Sequence, residues 1–266
     1  MTNAVTLKDK LRAGEAVFGT MLTDCLSPEL PPLMAAAGLD FFIIDTEHSP
    51  AGFERIEALA RVGRAAGIAP LVRVTDNEYF LIARALDCGA AGIVAPRINS
   101  AAEARAVVDA VKFAPEGRRG YGQRGILNEY KKSTVAENMA KQNAETVVVV
   151  QVESVEAIED LANTVRVPGI DATMVGPNDL SISLGLPGEF DHPMFLDALK
   201  RIAGICGPSP VTAGVHFGTA NRLTASREMG FRFLVFSTDM SLILNGLRDG
   251  LGTLRKAAPT VKDGVY

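Results

Sequence analysis

The sequence predicts a (β/α)₈ barrel occupying residues 1–266 as one domain. Three observations lead there. A chain of 266 residues has the size of one α/β barrel. Short apolar runs without strict alternation recur along it, the mark of strands buried on both faces. Between them, apolar residues fall at helical spacing, so strand and helix alternate from end to end.

Lys8 to Gly14 read as an opening helix and Ala16 to Leu22 as the first strand. Pro28 and the Pro31-Pro32 pair precede a helix that stops at Gly38, since prolines are tolerated in a first turn and glycine at a C-terminus. Phe41 to Ile44 form the second strand and Phe53 to Ala66 an amphipathic helix. Ala69 to Val74 form the third strand, and Asp76 is the expected cap of the helix Glu78 to Asp87. Gly92 to Pro96 make the fourth strand, and the capping box Ser100 to Glu103 opens a helix to about Lys112. Phe113 to Ser133, with Gly117, Gly120, Gly122 and Gly125, are too long for an ordinary connection and suggest function or an interface. A second capping box, Thr134 to Glu137, opens a short helix. Thr146 to Glu153 are the fifth strand, and Ser154 caps the next helix. Ala172 to Pro177 form the sixth strand, residues 194–205 a helix and Val211 to Phe217 the seventh strand. The helix Asn221 to Met229, the strand Phe231 to Phe236 and the helix Asp239 to about Lys256 complete the series.

The bulk properties exclude several classes. Apolar residues make up 47% and charged residues 22%, as expected for a globular protein with a large core. A net charge of −4 gives no general attraction to nucleic acid or an anionic membrane. No apolar run is long enough to span a bilayer, and the first ten residues lack a signal-peptide core. Cys25, Cys88 and Cys206 are scattered and odd in number, which speaks against a disulfide framework. The expected location is the cytoplasm.

In a barrel every strand's carboxyl end lies on one face, where ligands bind. Reading those ends gathers Asp45, Glu47 and His48, then Arg73, Gln151 and Glu153, Asn178 and Asp179, His216, and Asp239. Glu153 and Asp179 end neighbouring strands, where two carboxylates either repel or share a hard cation such as Mg²⁺ or Mn²⁺. On spacing alone, a helix cap for one and a solvent-facing position for the other is an equal reading. No CxxC or HxxxH pattern argues for zinc. An imidazole titrates near neutrality, so His48 suits a general base, and a carboxylate from Asp45 or Asp87 would fix its tautomer. Asp87 ends a helix, where its charge opposes the dipole, although a solvated helix end accounts for it too. Arg73 has the donor fork to hold a carboxylate or a developing oxyanion. No lysine ends a predicted strand, which argues against Schiff-base chemistry. The stretch Gly117 to Gly125 lacks the Lys-Ser/Thr ending of a P-loop and reads more readily as a surface or subunit-contact loop.

These motifs together resemble the HpcH/HpaI family of metal-dependent pyruvate aldolases. The resemblance runs from about residue 8 to the final helix. It is carried by Asp45-Thr-Glu-His48-Ser-Pro, Pro70-Leu-Val-Arg73, Leu86-Asp87-Cys-Gly89-Ala, Pro115-Glu-Gly-Arg-Arg-Gly-Tyr-Gly122, Gln151-Val-Glu153 and Gly176-Pro-Asn-Asp179-Leu-Ser. It implies a carbon–carbon lyase that cleaves 4-hydroxy-2-oxo acids reversibly to pyruvate and an aldehyde, through a pyruvate enolate on the metal. By the same resemblance Glu153 and Asp179 ligate Mg²⁺ or Mn²⁺ (Co²⁺ being a further candidate). His48 is the base, Asp87 and Asp45 orient it, and Arg73 polarises the pyruvyl oxygen. Gln151 lines the pocket, and backbone near Asn178 and Asp179 seats the substrate carboxylate. The family's usual assembly implies a homo-oligomer, a hexamer or trimer, with an exchanged C-terminal helix. Leu242, Ile243, Leu247 and Leu251 would fit that exchange or packing on their own barrel. The sequence departs from the family at Thr46 (commonly glycine), Asn178 (usually alanine) and His216 (typically aliphatic), the last two being placed near the aldehyde. Alternative readings are a CoA-thioester lyase, an oxaloacetate decarboxylase of the same superfamily, and a non-catalytic barrel.

Overall fold

The computed structural model describes residues 6–122, 124–128 and 130–256. Gln123 and Glu129, both in the expected long connection, lie outside the described residues. Eight parallel strands close into a barrel in sequence order: β1 (Val17–Leu22), β2 (Phe41–Asp45), β3 (Ala69–Arg73), β4 (Gly92–Ala95), β5 (Val147–Val152), β6 (Ala172–Val175), β7 (Gly214–Phe217) and β8 (Phe233–Thr238). Among the described residues the helices are α1 (Leu7–Arg12), α2 (Leu30–Ala36), α3 (Phe53–Ala66), α4 (Tyr79–Asp87), α5 (Ala101–Val111), α6 (Gly125–Asn128), α7 (Val135–Glu145), α8 (Val155–Thr164), α9 (Pro177–Ser183), α10 (Pro193–Cys206), α11 (Ala220–Glu228) and α12 (Asp239–Lys256). The predicted (β/α)₈ architecture is the one observed. No described helix is long and apolar enough to cross a membrane.

Strand parity builds two cores from one set of residues, because successive side chains point to opposite faces. Phe41, Ile43, Leu71, Val94, Val147, Val149, Met174, Phe233 and Val235 fill the barrel interior, and Leu7 and Leu11 of α1 belong to the same cluster. Phe42, Ile44, Val72, Ile93, Val148, Val150, Val175 and Leu234 face outward beneath the helices. Phe41 stacks on Phe233 with ring centroids 4.4 Å apart. Gly19 makes room for that stack, since a Cβ there would sit 2.3 Å from the Phe41 ring. Truncating Phe41, wholly buried, to alanine would cost about 3–5 kcal/mol.

The helix starts follow local chemistry. The capping boxes at Ser100 and Thr134 both form, and the Ser154 hydroxyl accepts the Ala157 N–H. Asp76 does not cap α4: the N-cap is Glu78, and the Asp76 carboxylate accepts from the next residue's N–H instead. Pro177 opens α9 rather than closing β6, because its fixed φ suits a first helical turn. β7 begins at Gly214, later than the apolar run suggests; Thr212 contributes only an isolated bridge to Ala172. The long connection after α5 packs back on the barrel's helices. Its Arg119 reaches Asp87 at 2.6 Å, Gly120 donates to the Tyr79 hydroxyl, and Arg124 pairs with Glu57.

Candidate active site

The same parity that fills the barrel interior assembles the site. Asp45 follows Phe41 and Ile43 in phase, Arg73 follows Leu71, and Gln151 and Glu153 follow Val147 and Val149, so each aims inward at the carboxyl rim. Register does the rest: Asp45 lies directly opposite Arg73 across β2 and β3. Both Asp45 oxygens accept from Arg73, Nε at 2.8 Å and Nη2 at 2.7 Å, with Asp45 wholly buried. Burial works against the Arg73 charge, but Asp45 more than offsets it, and the guanidinium pKa lies above its ordinary value. The remaining nitrogen, Nη1, is 3.3 Å from Glu47.

Glu47, to which the sequence assigns no role, joins two arginines. Its Oε1 accepts from Arg97 Nη1 at 2.5 Å, and its Oε2 faces Arg73 and lies 4.0 Å from His48 Nε2. Arg97 follows β4 with φ 53°, a left-handed conformation that costs a non-glycine residue about 1–2 kcal/mol. Its own N–H donates to Glu153 Oε1 at 2.7 Å. Sequence reasoning missed Arg97, although its place just past the end of β4 was the signal that could have found it.

Glu153 is 8% exposed and accepts from Gln151 Nε2 at 2.5 Å on its second oxygen. Burial raises its pKa above the usual carboxylate range, and the charges of Asp179 and Glu47 add to this, while the Arg97 N–H and the Arg73 charge oppose it. Among the described residues neither Glu153 nor Asp179 stands in an ion pair. Asp179 and Asn178 are exposed in the first turn of α9. A Cβ on Gly176 would lie 2.6 Å from Glu153 Oε2, so glycine leaves room for that carboxylate.

His216, on β7, is packed so that burial lowers its pKa, and Nε2 lies 3.3 Å from the Ser237 carbonyl. Asp239 accepts from the backbone N–H groups of Thr23, Asp24, Cys25 and Met240, which makes it a structural clasp between the ends of β1 and β8. Its carboxyl pKa falls below the usual range because those donors outweigh its burial.

Two expected partnerships are not made within this chain. Asp45 does not orient His48: its oxygens accept from Arg73, and Oδ1 also accepts the Glu47 N–H at 3.0 Å. Asp87 does not either. It closes α4, which runs back from the carboxyl end of β3 toward the start of β4, so Asp87 sits at the opposite rim and pairs with Arg119. His48 itself is open, its side chain 67% exposed, and Glu47 is the carboxylate beside it.

A barrel rim carrying Asp45, His48, Arg73, Glu153 and Asp179 in this order is matched beyond the geometry. The profile of the HpcH/HpaI aldolase/citrate lyase family covers residues 25–246. The chain belongs to that family. A hydroxypyruvate/pyruvate aldolase of Pseudomonas aeruginosa is 32% identical over 97% of this chain and 97% of its own length. A 4-hydroxy-2-oxo-heptane-1,7-dioate aldolase of Escherichia coli is 29% identical over 98% of this chain and 99% of its own. The crystal structure of an HpcH/HpaI aldolase from Desulfitobacterium hafniense DCB-2 superposes with a TM-score of 0.90 at 34% identity, covering 97% of this chain and 99% of that one. The expectation of an enzyme, a carbon–carbon lyase of the HpcH/HpaI family, is met by these relatives.

Proposed function

We propose that the chain is a divalent-metal-dependent aldolase that cleaves a 4-hydroxy-2-oxo acid to pyruvate and an aldehyde, and runs the addition in reverse. The observation that carries this reading is the pair of acids at the ends of β5 and β6. Glu153 is buried with its pKa raised partly by Asp179, and among the described residues no basic side chain is paired with either. That is the electrostatic condition a cation relieves. The donor set fits Mg²⁺ or Mn²⁺: two carboxylates, the cradle kept open by Gly176, and the buried Gln151 Oε1 with no donor of its own. Glu153 and Asp179 would hold the cation. When bound, the cation supplies Lewis-acid polarisation of the 2-oxo acid, about several kcal/mol toward the enolate.

The chain's own residues divide the remaining work. Arg73, fixed by Asp45 through Nε and Nη2, keeps Nη1 off that carboxylate and 3.3 Å from Glu47, and in this reading Nη1 stabilises negative charge on the 2-oxo oxygen. His48, open to solvent, takes the proton of the 4-hydroxyl through a water. The C3–C4 bond then breaks, the aldehyde departs, and a proton delivered to C3 releases pyruvate. Gln151 and Asn178 border the acid pair, and His216 borders the β7 side, where the aldehyde's substituent would lie. A panel of 4-hydroxy-2-oxo acids assayed for pyruvate with and without EDTA tests the proposal. Turnover that EDTA leaves untouched would falsify it.

A homo-oligomer is part of the same proposal. Ile243, Leu247, Leu251 and Leu254 of α12 stand 47–68% exposed at three- and four-residue spacing, an apolar stripe suited to a second copy. Leu247→Glu is expected to shift sedimentation velocity toward the monomer. An unchanged sedimentation coefficient would count against the stripe.

A further inference from the structure

We propose that Arg97 restricts the cation site to two carboxylates by drawing Glu47 away from it. This rests on the reading of Glu153 and Asp179 as cation ligands. Four acids stand at the rim, Asp45, Glu47, Glu153 and Asp179, and Arg97 touches two of them. The Arg97 backbone N–H holds Glu153 Oε1 at 2.7 Å, while its guanidinium holds Glu47 Oε1 at 2.5 Å. Glu47 and Glu153 therefore lie within one arginine's span of each other, and the charges of Glu47 and Asp179 both bear on Glu153.

The backbone of Arg97 is what permits this double contact. At φ 53° the N–H and the side chain serve different strands' residues, a conformation that favours glycine and asparagine over arginine. The guanidinium is further tied by Nη2 to the Thr75 carbonyl at 2.8 Å and lies 3.7 Å from Asp76, so its direction is set on three sides. Without it, Glu47 would keep Arg73 Nη1 at 3.3 Å and the more distant His48 Nε2 at 4.0 Å, and that arginine's Nε and Nη2 are already committed to Asp45.

The consequence follows from coordination chemistry. A hard cation binds more tightly as carboxylates are added, and each one added removes a position from water or substrate. By pairing with Glu47, Arg97 gives up affinity for the cation and keeps a position open for the 2-oxo acid. Arg97 is thus a positioning residue, acting through Glu47 and Glu153.

The test is Mn²⁺ binding measured by calorimetry on the full-length protein without substrate. Arg97→Met keeps the stem and removes the donors. It is expected to bind Mn²⁺ about tenfold more tightly while pyruvate release at saturating Mn²⁺ falls. A disturbed site would instead bind more weakly. The double variant Arg97→Met/Glu47→Gln is expected to return to within about threefold of the unaltered protein, as is Glu47→Gln alone. If Arg97→Met does not fold, Arg97→Gln, which keeps one amide donor, is expected to tighten binding by a smaller factor. Equal or weaker Mn²⁺ binding by the folded Arg97 variant overturns the proposal and leaves the cation reading standing. Tightening that persists in the double variant also overturns it, since Glu47 would then not be the added ligand. An unaltered protein that binds no Mn²⁺ removes the cation reading and this proposal with it.

Discussion

Two halves of one barrel rim use the same residue types to opposite ends. At β2 to β4, Asp45 and Glu47 face Arg73 and Arg97, and every one of these side chains has an ionic partner within 3.3 Å. At β5 and β6, Glu153 and Asp179 stand near each other without one among the described residues. The first half is a scaffold whose charges are spent on each other, and its product is a fixed Arg73. The second holds an electrostatic cost inside the fold, one that the proposed cation would relieve.

This contrast makes substitutions in the two halves behave differently. The largest effect is expected at Glu153→Gln, where pyruvate release should fall by about 10³-fold or more, the loss of several kcal/mol of transition-state stabilisation. The same change should leave urea stability equal or higher, because a buried carboxylate with no ionic partner is removed. Next comes Asp45→Asn, which leaves Arg73 buried without its carboxylate; about 3–5 kcal/mol of stability should be lost in urea titrations. If both variants lose stability equally, the distinction between the halves disappears. The smallest effect is a pH dependence at His216, packed near Arg73 and Asp45. Burial lowers its folded pKa below the unfolded value, so the unfolded chain takes up the proton first as pH falls. Stability should therefore decline as pH drops below about 6.5, with a slope of at most about 1.4 kcal/mol per pH unit from this one group. In His216→Leu, urea midpoints between pH 7.5 and 5.5 should show a shallower decline; an unchanged slope would remove His216 as the cause.

Much of this was legible in the residues themselves. Continuous apolar runs placed all eight strands, and the capping boxes at Ser100 and Thr134 marked helix starts that the structure realises. Strand ends also gathered Arg73, Gln151, Glu153 and Asp179 on one rim, since a parallel barrel leaves no other place for them. Pairings were less legible because they depend on register and on the direction in which a helix returns. Asp45 stands three residues from His48 in sequence, yet the β2–β3 register hands it to Arg73. Asp87 stands near Arg73 in the sequence of elements, yet α4 carries it to the far rim and to Arg119. Arg97 escaped notice because its role depends on a left-handed backbone, which an arginine does not announce.

The central claim is that the β5–β6 acids form the cation site while the β2–β4 acids are already satisfied. Thermal melting with and without Mn²⁺, on the unaltered protein and on Asp179→Asn, tests it most directly. Binding to the folded state alone raises the melting temperature, so Mn²⁺ should stabilise the unaltered protein, by about 2.7 kcal/mol at a hundredfold excess over Kd. Asp179→Asn should show little or no shift. An equal shift in both proteins, or none in the unaltered one, would contradict the account.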